Sequence, residues 1–152
     1  MYKRQRHDVT LIFAAPTAWH ALARTAAETE IDVSSLERGL YGAAPMPEEV
    51  LKMSMEHLCE DYVQAYGMTE IGPCGVFQPP EDQLPKQGCA GLPAPNHEVR
   101  VVDPGAAPDE EVEQGDLGEI IIAGPCTMRE YWNRPEATAQ SLREADGSEW
   151  YY

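Results

Sequence analysis

Positive charge is scarce in this chain. Its 152 residues include 11 lysines and arginines against 26 aspartates and glutamates, which gives a formal net charge of −15. A surface with this balance repels polyanions, so we predict that the chain does not bind nucleic acid. The acidic residues are densest at positions 109–116, a run that is typical of a solvated loop.

Long apolar runs and paired cysteines are also missing. No stretch approaches the ~20 apolar residues of a membrane-spanning helix, and no signal-peptide core is present. The cysteines form no Cys-x-x-Cys pair, and the four histidines do not give them the spacing of a zinc site. The cysteines are Cys59, Cys74, Cys89 and Cys126. These absences predict reduced thiols in a cytoplasmic protein without a membrane span.

The first half of the chain alternates between apolar runs and helical periodicity. We predict a buried strand at 9–13, a helix from Pro16 to about Glu28, a strand at 36–43, a helix beginning at Pro47, and a strand at about 61–65. Proline suits the first turn of a helix, as at Pro16 and Pro47. Alternating strands and helices predict a parallel α/β layer, whose sites lie at the carboxyl ends of the strands.

The second half of the chain has a different pattern. Residues 71–97 are rich in proline and glycine and are predicted to be loop. Apolar runs at 98–102 and 119–122 predict two strands on either side of the acidic segment. Asn133, with Glu136 three residues later, predicts a capped helix that runs to about Arg143. The whole pattern predicts an α/β fold in which a parallel strand–helix layer is followed by part of a β-rich subdomain.

Five consecutive residues, Tyr66-Gly67-Met68-Thr69-Glu70, carry the strongest chemical signal. They offer a ring for a base, close backbone approach at a glycine, a hydroxyl for a phosphate oxygen and a carboxylate for Mg²⁺. A strand end followed by a turn would show the same letters. Two further blocks support the chemical interpretation: the small-residue segment at 41–47 upstream and the segment at 118–139 downstream.

In this order the three blocks resemble the adenylate-forming enzymes, which include acyl-CoA synthetases, aryl-CoA ligases, luciferases and peptide-synthetase adenylation domains. The resemblance runs from about Val9 to Trp150 and implies an internal fragment of the large N-terminal domain. Residues 9–88 would form the C-terminal part of the nucleotide-binding subdomain with its active-site loop, and residues 89–152 a truncated β-rich subdomain. Residues 1–8 fall outside the resemblance and are predicted to be a non-native or disordered start.

The resemblance also implies roles for individual residues. Tyr66 would stack on adenine, Thr69 would donate a hydrogen bond to a phosphate oxygen, and Glu70 would hold Mg²⁺. Thr69 and Glu70 are therefore the candidate catalytic residues. The remaining candidates would lie against the nucleotide and the acyl group: Gly42, Ala43, Ala44, Pro45, Gly67 and Met68. Each of the three residues given a specific role also has a purely structural alternative: Tyr66 as a core tyrosine, Thr69 as a turn-capping threonine and Glu70 as a surface glutamate.

By the same resemblance, the parent enzyme is an acid–thiol ligase of fatty acid metabolism that uses ATP, Mg²⁺ and coenzyme A. A fatty or aryl acid would be converted to an acyl-adenylate and then to a thioester. An apolar acid is expected because the neighbouring residues offer no charge to an amino group; these residues are Ala43, Ala44, Ala65, Met68 and Ile71.

The chain shows no match to the family's phosphate loop, ribose-binding aspartate or catalytic lysine, so the fragment alone is expected to be inactive. Two other interpretations stay open at this point. One is a peptide-synthetase-type adenylation domain that loads a carrier protein, and the other is a non-catalytic interaction module from a degenerate gene. The particular acid and the oligomeric state stay open as well.

Overall fold

The computed structural model describes residues 7–152, which divide into two compact units. The first unit comprises residues 7–66 and 77–92, and the second comprises residues 67–76 and 93–152. Each unit is therefore built from two separate stretches of chain. The chain passes between the two units at three places, so the division does not test the single domain boundary predicted near residue 88. That boundary stays a prediction.

The first unit contains the parallel strand–helix layer that the sequence predicts. Its elements are β1 (Leu11–Ala14), α1 (Pro16–Glu28), β2 (Arg38–Gly42), α2 (Glu48–His57) and β3 (Asp61–Tyr66). β1 pairs in parallel with β2, and β2 in parallel with β3. Two short strands, β4 (Val76–Gln78) and β5 (Leu92–Pro93), extend the sheet in the order β1-β2-β3-β4-β5. The α/β fold class is thereby confirmed.

Aromatic side chains form the centre of the first unit's core. Trp19 of α1 and Tyr62 of β3 are fully buried, and their rings meet edge to face with centroids 5.0 Å apart. The Trp19 indole Nε1 also donates a hydrogen bond to the Leu40 carbonyl oxygen at 3.1 Å. Leu51 of α2 is fully buried in the same cluster. The two helices thus cover one face of the sheet through a few large side chains.

The prediction that the first strand is buried was wrong. β1 is at the edge of the sheet, and its side chains alternate between exposed and partly buried. Leu11 is 52% exposed and Phe13 is 59% exposed, whereas Ile12 and Ala14 pack against the core. A continuous apolar run does not distinguish a strand buried on both faces from one buried on a single face.

The second unit is built on an antiparallel sheet. Its strands are β6 (Glu98–Val102), β7 (Glu119–Ala123), β8 (Leu142–Ala145) and β9 (Ser148–Tyr151), in the order β6-β7-β9-β8. The core residues Val102, Ile121 and Trp150 are fully buried. The acidic run lies between β6 and β7, where most of its side chains are exposed. The two strands predicted around this run are confirmed.

The helix predicted after Asn133 needs correction at both ends. α3 spans Pro135–Ser141, and its N-cap is Arg134, with no side-chain capping bond. Asn133 instead has a φ of +55°, a left-handed conformation that asparagine tolerates better than most residues. The chain after Ser141 turns into β8 rather than continuing as helix.

The sequence predicted loop throughout residues 71–97, and this prediction was wrong in part. They include β4, β5 and a turn of 3₁₀-helix at Pro80–Asp82, and another such turn at Thr69–Ile71 extends into them. None of the helices within residues 7–152 has the length and apolar character needed to cross a bilayer.

Candidate functional site

The carboxyl ends of β2 and β3 bring two of the sequence blocks close to each other in the first unit. Gly42, the last residue of β2, is in register with Ala65 of β3, and Tyr66 is the last residue of β3. A Cβ atom on Gly42 would lie 2.5 Å from the Ala65 carbonyl oxygen, so this pairing requires glycine. The predicted residues Gly42 to Pro45 and Tyr66 thus follow neighbouring parallel strands, where sites of such sheets lie.

Ala43 has an unusual backbone conformation at this point. Its φ is +66°, in the left-handed region that alanine rarely adopts because its Cβ crowds the backbone. Ala43, Ala44 and Pro45 are all exposed, and the half-buried Tyr66 follows the adjacent strand. The small-residue block is therefore a tight, strained turn with little side-chain bulk above it. Such strain often accompanies functional sites.

Gly67 begins the second unit's part of the motif with a close backbone approach. A Cβ atom here would lie 2.1 Å from the Pro73 carbonyl oxygen, so no other residue fits without moving the backbone. The chain then folds into the 3₁₀ turn, in which the Gly72 amide donates to the Thr69 carbonyl oxygen at 3.2 Å. Met68 is half-buried and Thr69 is exposed. Within residues 7–152, nothing is hydrogen-bonded to the Thr69 hydroxyl, which leaves it available to a ligand.

Glu70 is held at both its backbone and its side chain. The Met128 amide donates to the Glu70 carbonyl oxygen at 2.7 Å. The Tyr131 hydroxyl donates to Glu70 Oε1 at 2.8 Å and lies 3.4 Å from the Tyr151 hydroxyl. Glu70 Oε2 has no hydrogen-bond partner in the described part of the chain. The carboxylate is thus fixed through one oxygen and free at the other.

The same contacts change the acidity of the tyrosine. The hydrogen bond with Tyr151 and, after it, the one with Glu70 raise the pKa of Tyr131 well above its ordinary value. Both contacts favour the neutral phenol, the form that can donate to a carboxylate. At physiological pH, Tyr131 therefore remains a hydrogen-bond donor to Glu70.

Tyr131 is the site residue that sequence reasoning missed. Its own position is set by the Thr138 hydroxyl, which accepts a hydrogen bond from the Tyr131 amide at 3.0 Å and donates one to the Arg134 carbonyl oxygen at 3.0 Å. The only available signal was its place in the third sequence block. No local pattern indicates that its hydroxyl reaches Glu70, because the two residues are 61 positions apart.

The residues around Glu70 fit a magnesium ion bound mainly through a nucleotide. Within residues 7–152, no group of three or more histidine, cysteine or acidic side chains could hold a metal. Mg²⁺ does not need such a cage, because it is usually held by one or two carboxylates together with phosphate oxygens and water. Glu70 Oε2 would supply one oxygen of this kind, and Thr69, the preceding residue, has a free hydroxyl.

Two residues first linked to an apolar substrate do not fit that role. Ile71 is fully buried, and a Cβ atom on Gly75 would lie 2.8 Å from its side chain. Ala65 is also buried, at 6% exposure. Of the set proposed from the sequence, only Ala43, Ala44 and Met68 retain accessible surface.

Comparison with known proteins gives consistent matches. The sequence model described as AMP-binding enzyme matches residues 4–132. The chain is 37% identical over 140 residues to a feruloyl-CoA synthase from Amycolatopsis sp, covering 92% of this chain and 28% of that protein. It is 34% identical over 114 residues to the fatty acid–[acyl-carrier-protein] ligase ScoC from Streptomyces coeruleorubidus, covering 73% and 21% respectively.

A solved structure shows the same likeness in three dimensions. The chain superposes on O-succinylbenzoate coenzyme A synthetase from Bacillus subtilis, in complex with AMP, with a TM-score of 0.81 and 31% identity. The match covers 99% of this chain and 29% of that one. The chain therefore spans less than a third of the length of each of these proteins.

Proposed function

Because this chain belongs to the AMP-binding enzyme family, we propose that it acts as part of a longer ligase that activates a carboxylic acid with ATP. The acid would attack the α-phosphate and pyrophosphate would leave. The thiol of coenzyme A would then attack the acyl carbonyl of the adenylate, so that the thioester forms, AMP leaves and the thiol proton is lost. The relatives support this class of reaction, since they include a feruloyl-CoA synthase and an O-succinylbenzoate coenzyme A synthetase.

The observation that carries the proposal is the state of Glu70. Its carboxylate is fixed by Tyr131 through Oε1 and open at Oε2, one position after the free hydroxyl of Thr69. In the proposed site, Glu70 holds Mg²⁺ and Thr69 donates a hydrogen bond to a phosphate oxygen. The ion would neutralise charge on the phosphates as pyrophosphate leaves. Binding and positioning are most of what a protein contributes to such a reaction.

The remaining candidates have supporting roles in this proposal. Tyr66 offers its ring to adenine, and Gly67 permits close backbone approach. The turn at Gly42 to Pro45 presents little side-chain bulk, which suits a flat ring or an acyl chain. Met68 adds a half-buried apolar side chain. The accessible residues Ala43, Ala44 and Met68 carry no charge, so we propose a fatty or aryl acid rather than an amino acid as the substrate.

An acyl-carrier protein is a second candidate for the thiol that receives the acyl group. A relative at 34% identity is named as a ligase that joins fatty acids to an acyl-carrier protein. A carrier protein presents its thiol on a phosphopantetheine arm, so the chemistry of thioester formation would be the same as with coenzyme A. Supplying the full-length protein with coenzyme A or with an acyl-carrier protein, after adenylate formation, distinguishes the two acceptors.

The test of the proposal uses the full-length protein that contains this chain. ATP–pyrophosphate exchange would be measured with fatty, aryl and amino acids, first for the parent and then for Glu70→Gln. This substitution keeps the shape of the side chain and removes its charge. Loss of a metal ligand should lower exchange on the order of a hundredfold or more, which corresponds to several kcal/mol of activation free energy.

Glu56→Gln is the matched control, because Glu56 is an exposed glutamate on α2. It should leave exchange unchanged. Both variants should melt near the parent's temperature, because Glu56 is exposed and because the amide oxygen introduced by Glu70→Gln can still accept the hydrogen bond from Tyr131. If Glu70→Gln retains full exchange with its fold intact, the assignment of this segment to ATP is wrong. Turnover of amino acids alone would contradict the proposed substrate class.

A further inference from the structure

We infer that Tyr131 is a positioning residue for the metal-binding carboxylate: its hydroxyl fixes Glu70 through Oε1, so that Oε2 is directed to the ion. The inference rests on the proposed function of Glu70. It assigns a task to a tyrosine in the third sequence block, for which the family resemblance had supplied no role.

The direction of the hydrogen bonds supports this assignment. A carboxylate only accepts, so the Tyr131 hydroxyl is the donor across the 2.8 Å contact with Glu70 Oε1. With its proton committed there, the Tyr131 oxygen can accept from the Tyr151 hydroxyl at 3.4 Å. The three side chains thus form an ordered series that runs from Tyr151 through Tyr131 to Glu70.

The series begins on a rigid element. Tyr151 is in β9, and it is in register with Ile122 of β7 on one side and with Leu142 of β8 on the other. Its backbone is therefore fixed by two strand neighbours. Glu70, by contrast, lies in a three-residue 3₁₀ turn, where the backbone hydrogen bonds have poorer geometry than in an α-helix. Through Tyr131, the sheet of the second unit sets the orientation of a side chain in a short turn.

A hydrogen bond that orients a metal-binding side chain typically has a measurable effect on metal affinity. Groups that hydrogen-bond to metal ligands restrict their rotamers, and their loss typically weakens metal binding about 10- to 100-fold. Tyr131→Phe removes the hydroxyl and keeps the ring, so packing around the half-buried side chain is retained. We expect metal binding to weaken by about tenfold or more and the melting temperature to stay within a few degrees of the parent.

The experiment measures binding of Mn²⁺, as a paramagnetic substitute for Mg²⁺, to the full-length protein in the presence of ATP and without the acid. Electron paramagnetic resonance reports the free ion, so the readout does not depend on turnover. The Mg²⁺ concentration at half-maximal pyrophosphate exchange is the second readout. Tyr152→Phe is the matched control, because its hydroxyl likewise donates a hydrogen bond, in this case to the Ala106 carbonyl oxygen at 3.0 Å and not to Glu70.

The double variant Tyr131→Phe/Glu70→Gln tests whether Tyr131 acts through Glu70. If it does, Tyr131→Phe has no further effect on Mn²⁺ binding once the carboxylate is gone. Unchanged Mn²⁺ binding in Tyr131→Phe, together with weakened binding in Glu70→Gln, would overturn the positioning role and leave the proposed function standing. Unchanged binding in Glu70→Gln would overturn the proposed function itself, and the inference with it.

Tyr151→Phe provides a second route if Tyr131→Phe does not fold. This substitution leaves Tyr131 and Glu70 unchanged and removes only the Tyr151 hydroxyl, which contacts Tyr131. We expect a weakening of a few-fold, smaller than for Tyr131→Phe because the 3.4 Å contact is long for a hydrogen bond between hydroxyls. If Mn²⁺ binding is unchanged in Tyr151→Phe, the inference that the sheet helps to orient Glu70 is wrong.

Discussion

At the scale of single residues, Ala43 shows how the candidate site departs from ordinary local preferences. A left-handed alanine costs about 1–2 kcal/mol, whereas glycine adopts the same conformation freely. Ala43 nevertheless has a φ of +66° at the turn after β2. The Cβ atom of Ala43 therefore destabilises the folded state. At the adjacent position, by contrast, the residue is glycine, and a Cβ atom there would collide with the Ala65 carbonyl oxygen.

Ala43→Gly should raise the free energy of unfolding by about 0.5–1 kcal/mol. The relief of left-handed strain is partly offset by the greater freedom of glycine in the unfolded chain. Urea unfolding followed by circular dichroism measures the change. Ala44→Gly is the control, because Ala44 has no left-handed backbone and should lose about 0.5–1 kcal/mol from the same substitution. A loss at both positions would contradict the strain at Ala43.

The sequence revealed some of these residues and not others, for a physical reason. Tyr66 to Glu70 are consecutive, so the combination of ring, glycine, hydroxyl and carboxylate is visible as a motif. The bond between Tyr131 and Glu70 exists only because the fold brings together residues 61 positions apart. The strain at Ala43 was not predictable, because alanine is not a residue that indicates a left-handed turn.

At the scale of secondary structure, periodicity predicted the elements from β1 to β3 closely, whereas β4 and β5 are too short to show a period. α1 begins at Pro16 and ends at Glu28, as its apolar spacing and N-terminal proline indicated. The error at the start of α3 lies where two local signals compete. Asn133 is a good N-cap, and it is also one of the few residues at ease in a left-handed turn, which is where it lies.

The sequence between β8 and β9 is typical of a tight hairpin turn. Asp146 and Gly147 join the two strands, both with positive φ. An Asp-Gly pair between strands is the residue pair that a type I′ hairpin turn favours. This turn, with the strand residues after it, competes with any extension of α3 and explains why the helix ends at Ser141.

The packing of α1 on the sheet depends on Trp19. Trp19→Phe removes the hydrogen bond to the Leu40 carbonyl oxygen and part of the edge contact with Tyr62. We expect the free energy of unfolding to fall by about 2 kcal/mol, from lost buried volume and one lost hydrogen bond. Guanidinium unfolding measures the loss. Trp132→Phe should change stability by less than about 0.5 kcal/mol, because Trp132 is 81% exposed.

At the scale of the whole molecule, charge limits the conditions in which the fold is stable. A net charge of −15 already favours expansion through self-repulsion, and each ionised tyrosine adds to it. Tyr41 is 3% exposed and donates a hydrogen bond to Gln83 Oε1 at 2.7 Å. Burial raises the pKa of Tyr41 to about 12. The folded state therefore disfavours its ionisation.

This shift predicts a loss of stability at alkaline pH. The folded pKa lies above the unfolded value of about 10, so the contribution of Tyr41 is fully present below pH ~10 and is lost as the pH rises through about 12. The loss across this window should be about 2–3 kcal/mol, measured by urea unfolding at steps of pH. Tyr41→Phe should be less stable near neutral pH and should lose less between pH ~10 and ~12. Parallel pH curves for the two proteins would contradict this assignment.

The contact between Tyr131 and Glu70 has a consequence during translation. Ribosomes release a chain from its N-terminus at ~5–20 residues per second, and Tyr131 follows Glu70 by 61 residues. Glu70 is therefore synthesised about 3–12 seconds before its partner. Until then, nothing in the nascent chain can supply this hydrogen bond, so the carboxylate becomes fixed only after the later stretch of the second unit has been made.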